Sequence, residues 1–163
     1  MTEAGVVIRA AVSDDLPGIL SVQHQAFGRV ARAFGLNPDD LPPLRETLAD
    51  LTLLIEQGTR FLVAASPDGA VVGSVRASDT DGVVEIGRLV VANGWLRRGV
   101  ATRLMERLEA GYPRAQSFVL FTGADAFEPL ALYKKLGYTV SRSEDVGPVV
   151  LVWLQKPGPA SKR

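Results

Sequence analysis

Residues 83–110, VVEIGRLVVANGWLRRGVATRLMERLEA, leave this chain few ways to fold. From 83 to 92 the run is rich in β-branched residues and carries only two charges, Glu85 and Arg88, as a central strand does. Further on, Val100, Leu104 and Leu108 recur every four residues with Ala101 and Met105 beside them, the pattern of one apolar helical face. Strand must therefore give way to helix across 95–99. The first turn of a helix has backbone N–H groups without intrahelical partners and the positive end of the macrodipole, so it suits an anion. Gly99 and Ala101 keep side chains small where a diphosphate would approach.

That charge logic accepts a nucleotide or a sugar phosphate equally well. No GKS or GKT follows the glycine and the spacing is not GxGxxG, so neither a Walker loop nor a dinucleotide fingerprint is present. Composition removes other chemistries. There is no cysteine and one histidine, His24, which excludes disulfides, a thiol nucleophile, a histidine-based triad and a multi-histidine metal site; no metal is expected. Eighteen basic residues balance eighteen acidic ones, without the excess that binding to nucleic acid requires. No apolar run reaches membrane-spanning length and the N-terminus lacks the regions of a signal peptide, so the expected location is cytoplasmic, with no membrane partner.

The length suits a single domain, expected over residues 1–156 with a disordered tail at 157–163. Residues 6–11 read as a strand, with Ser13 as an N-cap and Asp14 and Asp15 in the first turn of a helix that buries Leu16, Ile19, Leu20 and Phe27. Glycine and proline break the pattern over 28–43, which reads as an irregular connection bordering a substrate site. Leu44, Leu48, Leu51 and Ile55 mark a second helix stopped by Gly58. Strands at 61–66 and 70–78 flank the turn Pro67-Asp68-Gly69, and Asp81-Gly82 leads into the central strand as an antiparallel meander. After the central helix come a strand at 117–122, expected parallel to the central one, a helix at 126–136, and strands at 138–143 and 149–155.

The run Leu96-Arg97-Arg98-Gly99-Val100-Ala101 resembles motif A of the GCN5-related N-acetyltransferase (GNAT) family, with Leu96 where the signature has Gln or Arg. Ala131-Leu132-Tyr133-Lys134-Lys135-Leu136-Gly137-Tyr138 resembles its motif B. The order of elements is also similar to the GNAT fold: an α/β (α+β) architecture with a mixed, mostly antiparallel sheet of about seven strands flanked by about four helices. The resemblance implies acetyl-CoA as cosubstrate, a primary amine of a small molecule or peptide as acceptor, and a possible homodimer. It places the diphosphate against Arg97, Arg98, Gly99, Val100, Ala101 and Thr102, and the pantetheine and thioester against the backbone of Leu89, Val90 and Val91, with Gly87 as a bulge that starts the divergence of two strands.

By the same resemblance Tyr133 is the general acid and Glu85 the base. A phenol of pKa about 10 can protonate a departing thiolate of pKa about 8.5, and a carboxylate can receive the proton of an amine that is largely protonated at neutral pH. Spacing alone fits a core tyrosine beside Leu132 and Leu136, and a solvated charge at Glu85, equally well. His24 and Gln25 are candidate substrate contacts, and Asp39, Asp40, Glu46 and Asp50 form an acidic stretch that suits a cationic amine or a solvated helix face. The alternative to catalysis is a silent acyl-CoA-binding regulatory module; a different acyl group or an oxygen acceptor also fits the scaffold.

Overall fold

Turn chemistry sets the strand plan of the computed structural model, which describes residues 5–162. Gly69 (φ 88°), Asp81 (φ 53°), Gly82 (φ 90°) and Gly147 (φ 59°) all occupy the left-handed region at strand-to-strand turns, and the Gly69 N–H closes its hairpin on Ser66 O at 2.8 Å. The elements are β1 (Val7–Ala10), α1 (Leu16–Phe34), α2 (Pro42–Arg45), α3 (Leu48–Glu56), β2 (Arg60–Ala65), β3 (Val71–Thr80), β4 (Val83–Val91), α4 (Val100–Ala110), β5 (Ser117–Gly123), α5 (Phe127–Lys135), β6 (Thr139–Val146) and β7 (Val149–Pro157). Seven strands form a mixed sheet in the order β1-β2-β3-β4-β5-β7-β6, with β4 and β5 parallel as expected. The expected fold class is therefore observed, with five helices where about four were anticipated.

The chain divides into two compact units, one of residues 5–77 and 88–108 and the other of residues 78–87 and 109–162. In the first, α1 and α3 bury Leu16, Ile19 and Leu51 with Phe61 and Val63 of β2. Each such side chain contributes roughly 1.5–3 kcal/mol by leaving water. In the second, Phe118, Leu120, Tyr138 and Leu154 are buried on β5, β7 and the segment leading into β6.

Three local readings are corrected. Ser13 is not a helix cap: residues Ser13–Asp15 form a 3-10 turn in which Asp15 accepts from the Val12 N–H at 2.8 Å and from both terminal nitrogens of Arg9 at 2.8 and 2.9 Å. Irregular chain does not begin at Gly28, because α1 continues to Phe34 and stops where Gly35 turns left-handed (φ 65°). The second helix is broken. Glu46 is extended (φ −66°, ψ 142°) between α2 and α3, and α3 starts afresh from Thr47, whose hydroxyl accepts from the Asp50 N–H while Asp50 accepts from the Thr47 N–H. At the C-terminus Pro159–Lys162 forms a 3-10 turn, and the Gly158 and Ala160 N–H groups donate to Gln116 O and Ala115 O.

Candidate active site

The turn before α4 is built for exposed amides. Arg97 (φ 61°) and Gly99 (φ 81°) are both left-handed, which swings the chain into a helix whose first residue, Val100, is already buried. The first α4 N–H taken by a backbone acceptor is that of Arg103, by Gly99 O at 3.0 Å. Among the described residues no acceptor takes the N–H groups of Gly99, Val100, Ala101 or Thr102. Residues 96–99 are exposed, and the Arg98 guanidinium stacks 5.1 Å from the centre of the Trp95 ring. Backbone donors without an internal acceptor therefore stand at the first turn of α4.

What seats that helix is a glycine on a neighbouring strand. A Cβ at Gly73 of β3 would lie 3.1 Å from Val100 Cγ1, 3.2 Å from Leu104 Cδ1 and 3.2 Å from Val90 O. Only a bare Cα lets the first turn of α4 approach this closely. Leu89, half-buried, and Val90 and Val91, both buried, continue β4 beside it.

Pairing between β4 and β5 is confined to Val83–Ser117, Val84–Phe118 and Glu85–Val119, although β4 runs on to Val91 and β5 to Gly123. Glu85 is the last paired residue and is exposed. The residue of β4 in the left-handed region is Arg88 (φ 54°), next to Gly87. A non-glycine residue there carries strain on the order of 1 kcal/mol, which its surroundings must hold.

In the second unit Tyr133 of α5 is 7% exposed, and its ring meets that of Tyr138 edge-on at 6.0 Å. Burial pushes its phenol up to about 12. Among the described residues its hydroxyl has no hydrogen-bond partner, and its oxygen is not closed off from solvent. Tyr138 differs: its hydroxyl donates to Glu109 Oε2 at 2.7 Å, and Lys156 Nζ donates to Glu109 Oε1 at 2.7 Å.

A charged cluster in the first unit went unread in the sequence. Glu46 accepts from Gln23 Nε2 (2.7 Å), from Arg76 Nη1 and Nη2 (3.1 and 2.8 Å) and from Arg88 Nε and Nη2 (3.3 Å each). Burial alone would raise its carboxyl, but these donors outweigh that and hold it at about 2. Glu46 is thus no free anion for a cationic acceptor, and Asp50 is committed to the α3 cap. One signal was legible: Gln23, 1% exposed, sits at core spacing on the apolar face of α1. His24 Nε2 lies 3.1 Å from Glu46 O and lines a cavity of about 430 Å3 with Gly28, Ala31, Arg32, Leu36, Pro38 and Leu44; Gln25 Oε1 accepts from Asn93 N at 3.2 Å. Arg29 was missed too. Its Nη2 donates to Val91 O at 3.3 Å, while Nη1 is buried without a partner among the described residues.

Among the described residues no group of His, Asp or Glu could hold a metal ion, and no helix is long and apolar enough to cross a membrane. The family model described as Acetyltransferase (GNAT) family matches residues 26–138. No curated protein matches the chain. In fold the chain is similar to the PaiA N-acetyltransferase of Thermoplasma acidophilum in complex with coenzyme A, at 17% identity and a TM-score of 0.79 over 93% of this chain and 98% of that one. It is also similar to a GNAT superfamily phosphinothricin acetyltransferase of Sinorhizobium meliloti in complex with acetyl-CoA (18% identity, TM-score 0.73, 97% and 92% covered). A third likeness is to the ribosomal-protein-alanine N-acetyltransferase of Brucella melitensis (20% identity, TM-score 0.72, 93% and 99% covered).

Proposed function

The chain belongs to the GNAT acetyltransferase family, and from that premise we propose that it is an acetyl-CoA-dependent N-acetyltransferase passing the acetyl group directly to a primary amine. The observation that carries the reading is the set of unclaimed N–H groups from Gly99 to Thr102 behind a left-handed turn. Four such amides at a helix N-terminus, with Arg98 beside them, suit a pyrophosphate.

Acetyl-CoA supplies a thioester whose carbonyl is open to attack and whose sulfur is a fair leaving group. The backbone of Leu89, Val90 and Val91 lies beyond the β4 segment paired with β5, and its amides orient and polarise the thioester carbonyl. Glu85, exposed at the end of the paired segment, takes the amine's proton through water. The likeness to motif B supports Tyr133, whose hydroxyl has no internal partner among the described residues, as the donor to the departing sulfur. With its phenol near 12 and a thiol near 8.5, complete proton transfer to the sulfur is uphill by roughly 5 kcal/mol. Its part is therefore to donate a hydrogen bond to the thiolate, not to surrender the proton. No cysteine is available to carry an acyl intermediate, which favours direct transfer.

The test is incubation with acetyl-CoA and a broad panel of amines while free thiol is measured. Release of CoA that depends on an amine supports the reading. Binding of acetyl-CoA with no turnover across the panel leaves the silent module in its place.

A further inference from the structure

We infer that Arg88, backed by Arg76, binds the carboxylate of the acceptor, so that the substrate class is a small amino acid and not a simple amine or a protein chain. The inference rests on the acetyltransferase reading and adds the identity of the acceptor.

The first observation is an imbalance of charge. Two guanidinium groups converge on the single carboxylate of Glu46, and the side chains of Arg76, Arg88 and Glu46 are only 15%, 18% and 16% exposed. Glu46 is saturated, because Arg76 and Arg88 each give it two contacts and Gln23 a further one. One positive charge is left over in a largely desolvated place. Arginine keeps its proton there; the Phe61 ring, 5.9 Å from Arg76 Cζ, and water offset the charge only in part, and an anion from outside would offset it better.

The second observation is the donor left free. Arg88 spends Nε and Nη2 on Glu46; its Nη1 has no partner among the described residues and is not closed off from solvent. Glu46 grips one edge of the guanidinium and leaves the other presented, which is the fork a carboxylate fits.

The third is backbone strain. The left-handed residue of β4 is Arg88, although Gly87 next to it has open space around its Cα and could adopt that conformation without cost. Holding an arginine there aims its side chain at Glu46 instead of along the ordinary alternation of the strand.

The position limits the ligand's size. Arg88 directly precedes Leu89, Val90 and Val91, where the thioester carbonyl is placed above. At about 3.3 Å per residue the Cα of Arg88 is roughly 3–10 Å along β4 from those residues. An anchor so near in the chain suits a molecule whose amine and carboxylate are a few bonds apart, and a protein N-terminus has no α-carboxylate beside its amine.

The test compares proteinogenic amino acids with their carboxamides, which keep every side chain and lose only the charge. Carboxamide amines are less basic and so more available at neutral pH, which biases the comparison against the expected result. Wild-type protein should use at least one amino acid about 100-fold better in kcat/KM than its carboxamide, and only the amino acid should raise the melting temperature. Arg88→Gln should bring the ratio within about threefold and abolish that thermal shift while leaving acetyl-CoA binding by calorimetry unchanged. Arg88→Lys keeps the charge without the fork and should give an intermediate ratio; it decides the matter if the glutamine variant does not fold. Equal use of carboxamides, an unchanged ratio in the variants, or no thermal shift with any amino acid overturns the inference. Transfer confined to amines lacking a carboxylate also overturns it but leaves the acetyltransferase reading standing; that reading falls separately if calorimetry detects no uptake of acetyl-CoA.

Discussion

Arg29 donates Nη2 to the carbonyl of Val91 at 3.3 Å and leaves Nη1 buried without a partner among the described residues. Desolvation lowers the pKa of this guanidinium, with Arg32 adding like-charge repulsion. A buried donor left unmade costs about 1–3 kcal/mol, more than the single long bond to Val91 returns. Arg29→Met, which keeps length and apolar contact, is therefore expected to leave stability unchanged or raise it by about 1 kcal/mol. Urea unfolding of the two proteins checks this; a loss above about 1 kcal/mol would mean that the arginine is satisfied in solution.

Removing the Tyr133 hydroxyl separates chemistry from folding. Because that hydroxyl has no internal partner, Tyr133→Phe should change stability by less than about 0.5 kcal/mol. Acetyl transfer should fall by about 10²-fold with the affinity for acetyl-CoA retained. Steady-state kinetics beside calorimetry reads both, and unaltered kcat would return Tyr133 to the role of a core tyrosine.

Gly73 controls the seat of α4. In Gly73→Ala the new methyl meets Val100, Leu104 and the Val90 carbonyl at 3.1–3.2 Å, so the helix must move outward by a few tenths of an ångström. The expected cost is about 1–3 kcal/mol of stability. Displacing the amides at Gly99–Thr102 should also weaken acetyl-CoA binding, whereas Gly87→Ala, with open space around it, should leave binding alone. Calorimetric titration of both variants decides this.

Acid should expose the Glu46 cluster. Its carboxyl titrates near 4.5 when unfolded and about 2 when folded. A depressed folded value means that the contribution is complete above pH 4.5 and is lost as pH falls from there through about 2. After allowance for solvent screening it amounts to about 2 kcal/mol. Glu46→Gln lacks that contribution already at neutral pH, so its stability should change less than wild type's between roughly pH 5 and 2. Parallel acid limbs in the two proteins would remove Glu46 from the account.

Much of the architecture was written locally. Gly69, Gly82 and Gly147 stand at turns that need positive φ, Val100, Leu104 and Leu108 share one helical face, and Gly99 ends the turn from which α4 begins. These features concern residues a few positions apart, where sterics and periodicity suffice. The same locality misled at Gly28, where helix α1 continues because packing outweighs one glycine, and at Glu46, where a run of leucines at helical spacing conceals a break.

What the sequence determined by itself was the succession of strands and helices and the glycine-containing turn before α4, since both follow from short-range backbone preferences. Only the tertiary structure decided that Glu46, thirty residues from Arg76 and forty-two from Arg88, spends its charge on them. It likewise decided that the strained residue of β4 is Arg88 and that Tyr133 is buried with its hydroxyl unengaged. Partnership between charges depends on burial and on convergence of distant segments, and neither leaves a periodic mark along the chain.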